Sequence, residues 1–348
     1  MATARYYDVL TAEPTTPSPE TWHVDNGSAA AYLVGPAFFD AQVNGFAGVD
    51  FQDPNVTAEG VEHAARALQR AGCSHFLITL ITADADFLEQ QCRQINEHIA
   101  GSALLRETIP GLHLEGPFLN GADGYLGAHP REHVRPADWG LFERWQRASG
   151  GRIAMMTVAP ECLGCLEFIT KAAAAGVFVS LGHTDADRHT LLAAQAAGAR
   201  IFTHLGNACP QLMHRYDNII QRVLSIPDLL VSLIPDGLHV PPMALGNVVR
   251  MLGPGRIVMI TDAASPAGAP AGTYRMGHLE LTVGPDRIVR FPGGDNYAGS
   301  ALTPVEGFYN TVRFGGLSAD AAWYAWTRLR NTLFPGLKAP QLALPFGV

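Results

Sequence analysis

The chain has 348 residues, 47% hydrophobic and 16% charged, which excludes a disordered polymer and leaves ample material for a core. At roughly 150 residues per domain it fits one large domain or two ordinary ones, and an α/β barrel of about 250 residues with appendages fits equally. No run approaches the roughly 18 apolar residues of a membrane span, and 32 acidic against 24 basic residues (net −8) argue against nucleic acid as a partner.

In chain order, residues 1–35 are rich in Thr, Pro and Ala with little periodicity. Short apolar runs then recur at Pro36–Val43, His75–Ile81, Gly111–Glu115, Ile153–Ala159, Val177–Gly182, Arg200–His204, Leu229–Pro235 and Arg256–Thr261. Helical spacing fills Ala58–Ala71, Asp86–Ala100, Cys162–Ala175, Asp185–Ala197 and Pro241–Met251, while Asn120–Gly150 reads as a long Gly- and Pro-containing loop. Runs alternating with helices are the mark of parallel βα units, and counting to eight favours a (β/α)8 barrel over an open sheet. Thr273–Phe291 alternates like a hairpin with a turn at Gly284-Pro285-Asp286, and a Pro-containing tail follows Leu333. We therefore expect a barrel over residues 36–335 with short terminal arms, 1–35 and 336–348.

Catalytic groups of such barrels stand at the C-terminal ends of the strands. Here those ends carry Asp40, Gln42 and Asn44; His113 and Glu115; His183; His204 and Asn207; Asp236 and His239; and Asp262. Glu115, His183 and His204 offer one carboxylate and two imidazoles, the donor set of a catalytic zinc site with an open position, where water is acidified and a carbonyl polarised. Asp262, from the eighth run, is placed to act as general base and then as acid to the leaving amine. Each of these residues alone has an ordinary explanation, a buried histidine or a helix N-cap aspartate. Six polar strand ends together are not something stability requires.

Five scattered cysteines (Cys73, Cys92, Cys162, Cys165, Cys209) read as reduced thiols of a cytoplasmic protein, without a secretory leader. The Cys162-x-x-Cys165 pair opens an Ala-rich helix and reads as structural. His113-x-Glu115 followed by Pro160-Glu161-Cys162-x-x-Cys165 approximates a zinc deaminase signature, but one residue too many separates the proline from the first cysteine and His183, His204 and Asp262 go unused.

At these residues the sequence resembles the amidohydrolase superfamily and, within it, the N-acetylglucosamine-6-phosphate deacetylases. The resemblance rests on Phe39–Gly45, Gly111–Phe118, Gly127–Pro130, Ala159–Glu161, Gly182–Thr184, Thr203–Ala208, Asp236–His239, Thr261–Ala263 and Ala298–Thr303, in order. It implies Glu115, His183 and His204 as ligands of one divalent ion, zinc by the donor set, and Asp262 as the catalytic acid–base. It further implies His239 beside the acetyl carbonyl, and a sugar phosphate held by His129, Asn207, Ala208 and Arg215 under the Ala298-Gly299 loop. Homodimers are common among similar enzymes.

Three features depart from the family. Gln42-Val43-Asn44 stands where much of the superfamily has His-x-His, which argues for one metal rather than two. Arg215-Tyr216-Asp217-Asn218 replaces an Arg-Glu-Pro-Gly stretch, and the terminal arms are too short for a complete β-sandwich. The expected reaction is hydrolysis of the acetamide of N-acetyl-D-glucosamine 6-phosphate. The alternatives are another N-acyl amino sugar phosphate or amide as substrate, and a non-catalytic barrel that binds a sugar phosphate.

Overall fold

The computed structural model describes residues 4–25, 29–290, 297 and 299–345. Eight parallel strands follow one another around a barrel: β1 Phe38–Val43, β2 Cys73–Ile81, β3 Gly111–Glu115, β4 Ile153–Val158, β5 Phe178–Leu181, β6 Ile201–Phe202, β7 Leu230–Leu233 and β8 Ile257–Met259. Each coincides with one of the eight apolar runs. Nearly every residue in them is buried, as expected for strands covered on both faces.

The outer helices are α1 Ala58–Arg70, α2 Ala85–Gly101, α3 Trp139–Ala148, α4 Cys165–Ala174, α5 Arg188–Ala197, α6 Ile219–Leu224, α7 Pro242–Leu252, α8 Pro304–Gly315 and α9 Ala319–Leu333. Local chemistry sets several starts. Thr57, Asp84, Asp138 and Asp187 each accept a backbone N–H of the first turn they precede. Helix α4 begins three residues later than the spacing predicts, because Gly164 takes a left-handed N-cap at φ 78°. The expected loop at Asn120–Gly150 holds α3 in its second half, so the unit before β4 is regular after all. The missed signal is the Asp138 cap ahead of Phe142 and Trp145, both buried.

Between β8 and β1 no regular ladder forms, and the barrel closes by other means. Val43 and Ala263 make a single parallel bridge, and the Ala263 carbonyl accepts from Asn44 N (2.8 Å) and Gly45 N (3.1 Å). The buried Asp40 carboxylate adds a clasp, accepting from Thr261 N (3.2 Å), Thr261 Oγ1 (2.5 Å) and Gln42 N (3.2 Å). At the other end α9 spans the seam: Trp323 Nε1 donates to Pro36 O (2.8 Å) and Arg330 to Ala37 O (3.0 Å).

Inside, Phe39, Leu77, Met155, Ile201 and Val258 meet Leu329 of α9 in one buried cluster. This apolar plug fills one end of the barrel, so polar side chains can converge only at the other.

The terminal arms form a four-stranded sheet in the order Arg5–Asp8, Ala31–Pro36, Gln341–Pro345, Trp22–His23. It is the small β appendage expected from the shortened termini. The predicted hairpin is extended by one strand. Gly272–Met276 pairs antiparallel with Leu279–Val283, which pairs with Val289–Arg290 across the predicted Gly284 turn.

Candidate active site

The polar end of the barrel opens into a cavity of about 670 Å³ whose floor is made by residues just past the strand ends. Three of these adopt left-handed backbone: His183 (φ 52°), His204 (φ 29°) and Asp262 (φ 49°). Non-glycine residues seldom do so, and such strain persists where the surrounding fold over-determines it, often at functional sites. Gly182 permits one of these turns, since a Cβ there would meet Thr203 Cγ2 at 2.3 Å.

Glu115, His183 and His204 are all buried, and one ligand atom from each lies within 4.8 Å of the others. Glu115 Oε1 is 3.2 Å from His183 Nε2 and 2.9 Å from His204 Nε2, and it accepts from Gln42 Nε2 at 3.0 Å. The tautomers decide what belongs between them. His183 Nδ1 is 2.7 Å from the Tyr125 carbonyl, which can only accept, so that nitrogen carries hydrogen. In the neutral ring Nε2 is then a lone pair aimed at a carboxylate, an arrangement relieved by a cation held jointly. The donor set also suits a divalent ion of zinc's kind. The structure thus contains a potential metal site.

Burial alone would push the Glu115 carboxyl up, but the hydrogen bond from His129 and the surrounding imidazoles hold it well below the usual range. His204 goes the other way. Burial lowers it, yet the Glu115 hydrogen bond and charge leave it raised.

Asp262 faces the triad from the far side of the barrel seam. Its Oδ1 accepts from Asn44 Nδ2 (2.8 Å) and Gln42 Nε2 (3.2 Å). Gln42 in turn is fixed by Thr203 Oγ1, which donates to Gln42 Oε1 at 2.8 Å. The two strand-one amides thus act as donors to carboxylates, Gln42 to both Glu115 and Asp262. Burial, reinforced by the Glu115 charge, raises the Asp262 carboxyl to about 6. That value suits a group that must give and take a proton near neutrality.

The other expected residues are placed as follows. His129, expected at the sugar phosphate, lies deep. Its Nδ1 accepts from Thr82 N (3.3 Å), so Nε2 carries hydrogen and points at Glu115 Oε2, 3.5 Å away. Its ring packs edge-on to His183 with centroids 4.3 Å apart. Burial and the His183 charge lower it to about 4, so it stays neutral. His239 lines the cavity further out, its Nδ1 held by Asp236 Oδ2 at 2.6 Å and its ring 5.2 Å from that of Tyr297. Asn207, Ala208 and Gly299 also line the cavity, and Ala208 is left-handed at φ 49°. Ala298 lies outside the described residues.

Arg215 is not brought to the cavity; it is exposed on the loop before α6. Arg131, Asp123, Tyr297 and Met276 line the cavity instead. None of the four stands in a motif of its own: Asp123 and Arg131 lie between β3 and α3, and Met276 ends the strand Gly272–Met276. His113 is structural, bonded to Ala41 O (3.1 Å) and Thr157 Oγ1 (2.8 Å). The Cys162 thiol donates to Leu119 O, and burial pushes it up to about 12. The deaminase-like spacing therefore assembles no site.

No family model matches the chain. Individual relatives do. The chain is 32% identical over 298 residues to the N-acetylglucosamine-6-phosphate deacetylase of Bacillus subtilis, covering 85% of this chain and 72% of that one. It is 32% identical over 329 residues to the enzyme of that name from Bos taurus, covering 90% and 77%. Among solved structures, the N-acetyl-D-glucosamine-6-phosphate deacetylase of Mycobacterium smegmatis superposes with a TM-score of 0.81 at 29% identity, over 90% of this chain and 83% of that one; it is a mutant in complex with N-acetyl-D-glucosamine-6-phosphate. The Thermotoga maritima deacetylase, at 21% identity, shares the fold with a TM-score of 0.80 over 99% and 94%. With relatives of this identity spanning most of both sequences, the chain belongs to the N-acetylglucosamine-6-phosphate deacetylase family.

Proposed function

We propose that the chain hydrolyses the acetamide of N-acetyl-D-glucosamine 6-phosphate to acetate and glucosamine 6-phosphate, using one zinc ion per chain. The observation that carries this is the convergence of Glu115, His183 and His204 on one point, with the Asp262 carboxylate presented on the same cavity floor. Glu115, His183 and His204 would hold the ion, which when bound supplies Lewis-acid polarisation of the acetyl carbonyl and a lowered pKa for water.

The chain's own residues supply the rest. Asp262 takes the proton from the attacking water as the new C–O bond forms, and returns it to the nitrogen as the C–N bond breaks. Asn44 and Gln42 keep its carboxylate aimed while it does so. His129, neutral with its Nε2–H directed at the Glu115 side of the cavity, is the donor best placed for the oxygen that gains charge. His239, held by Asp236, borders the substrate from the outer wall beside Tyr297. Asn207 and Ala208 lie where the sugar would pass between floor and mouth.

We assign this chemistry to the barrel, residues 36–335, and none of it to the terminal arms. Five free thiols and the absence, among the described residues, of any helix able to cross a membrane accord with a cytoplasmic enzyme. The departure at Arg215 favours one second reading, the same chemistry on a different N-acyl amino sugar phosphate. Acetate release from the N-acetylated 6-phosphates of glucosamine and galactosamine, with chelator and after zinc repletion, tests both. Release that is chelator-sensitive, zinc-restored and fastest on the glucosamine sugar supports the first reading. No release from either sugar refutes it.

A further inference from the structure

Two imidazoles touch the same carboxylate on the cavity floor and are held in opposite ways. His129 and His183 pack edge-on with centroids 4.3 Å apart. Nε2 of His129 lies 3.5 Å from Glu115 Oε2, and Nε2 of His183 lies 3.2 Å from Glu115 Oε1. A neutral ring has one N–H and one lone pair, so the partner of Nδ1 decides what Nε2 can do. His183 Nδ1 meets an acceptor, the Tyr125 carbonyl, at 2.7 Å, which leaves the lone pair on Nε2. His129 Nδ1 meets donors instead.

Both donors come from Thr82, the first residue past β2, which is buried. Its backbone N–H points at His129 Nδ1 over 3.3 Å, and its Oγ1 lies 2.7 Å from the same nitrogen. An amide N–H can only donate, so Nδ1 must present its lone pair. The hydroxyl then has two acceptors within reach, Nδ1 at 2.7 Å and the Glu115 carbonyl at 3.4 Å. Donation to the carbonyl would turn an oxygen lone pair onto the Nδ1 lone pair. Donation to Nδ1 removes that repulsion and makes the shorter bond. One residue thus supplies two donors to one nitrogen, and Nε2 is left with the hydrogen. Room for the hydroxyl depends on Gly116, where a Cβ would overlap Thr82 Oγ1.

We infer that Thr82 is a positioning residue for the hydrolysis. By fixing the tautomer of His129 it keeps that ring a hydrogen-bond donor toward the acetyl oxygen and out of the ligand set of Glu115, His183 and His204. The inference rests on the deacetylase reading and deepens it, since what faces each Nδ1 divides two neighbouring histidines into a donor and a ligand.

Two measurements on the zinc-loaded chain test this. One is steady-state acetate release from N-acetylglucosamine 6-phosphate. The other is a long-range proton–nitrogen correlation spectrum, which reports the ring nitrogen of His129 that carries hydrogen, its signals being identified by their loss in His129→Asn. In the wild type the hydrogen is on Nε2. Thr82→Val keeps the shape and the backbone N–H but lowers kcat about five- to fiftyfold, with KM within about twofold of wild type. Its zinc content is unchanged, and its His129 signals move toward a mixture of tautomers. Thr82→Ser restores the hydroxyl and brings kcat back to within about threefold of wild type. Hydrogen on Nδ1 in the wild type overturns the inference whatever the variants do. So does Thr82→Val with an unaltered tautomer, or with kcat within about twofold of wild type. A fall in kcat matched by lost zinc also overturns it, because Thr82 would then be supporting the ligands. In each of these cases acetate release by the wild type leaves the deacetylase reading intact. If the wild type releases no acetate, that reading is what fails, and the spectra alone judge Thr82. A tautomer that shifts in Thr82→Val and returns in Thr82→Ser supports the lock; one that does not move overturns it.

Discussion

The floor and the mouth of the cavity are built on opposite terms. On the floor Glu115, His183, His204, Gln42 and Asn44 are buried, Asp262 is half-buried, and each is held by at least one other. Gln42 alone ties Glu115, Asp262 and Thr203 together, and three of the residues keep left-handed backbone. At the mouth Arg131, the one permanent cation among the described lining residues, and Asp123 are exposed and paired with each other. The groups proposed to break the bond are fixed in advance, at the expense of local strain. Groups at the mouth stand on loops where exchange of partners is easy.

The largest effect that could break this contrast is at Asp262. Replacement by Asn keeps the shape and the floor but removes the proton carrier. We expect kcat to fall about 10²- to 10⁴-fold with zinc content unchanged, read by acetate release and metal analysis. An effect confined to KM would move Asp262 from the chemistry to binding. Next is Gln42→Leu, which removes the donor shared by two carboxylates. Zinc affinity or kcat should fall about 10- to 100-fold, measured by competition with a chelating indicator and by steady-state rates. A change no larger than that of a rim variant would mean the floor is not a connected unit.

The smallest effect concerns the seam clasp. Burial, opposed by the hydrogen bonds of Thr261 and Gln42, raises the Asp40 carboxyl from 3.8 to about 7. A raised carboxyl binds its proton more tightly when folded. Its contribution to stability is therefore complete below pH 3.8 and is lost as pH rises to about 7. Asp40→Asn cannot ionise, so its unfolding midpoint relative to wild type should climb between pH 3.8 and about 7. A difference independent of pH across that interval would show that Asp40 titrates as an ordinary carboxyl.

What could be read in advance divides along the same line. All eight strands were visible because strands buried on both faces must be nearly continuous apolar runs, and their polar ends announced Glu115, His183, His204 and Asp262. The mouth was not visible. Whether Arg131 or Arg215 faces the cavity depends on how two loops fold back, and neither loop has a periodicity to follow. Helix α3 was missed for a related reason, its Gly- and Pro-containing approach masking an Asp138 cap ahead of a short amphipathic turn. The relative depth of His129 and His239 likewise needed coordinates. Both are loop histidines, and their partners tell them apart: Thr82 and Glu115 for His129, Asp236 for His239.

On the proposed reading Glu115, His183 and His204 together hold one divalent ion. Titration of metal-stripped protein with zinc, following bound metal directly, is its most direct test. Wild type and Asp262→Asn should both saturate at one zinc per chain, and His183→Ala and His204→Ala should bind far more weakly. Equal tight binding by the histidine variants and the wild type would contradict it.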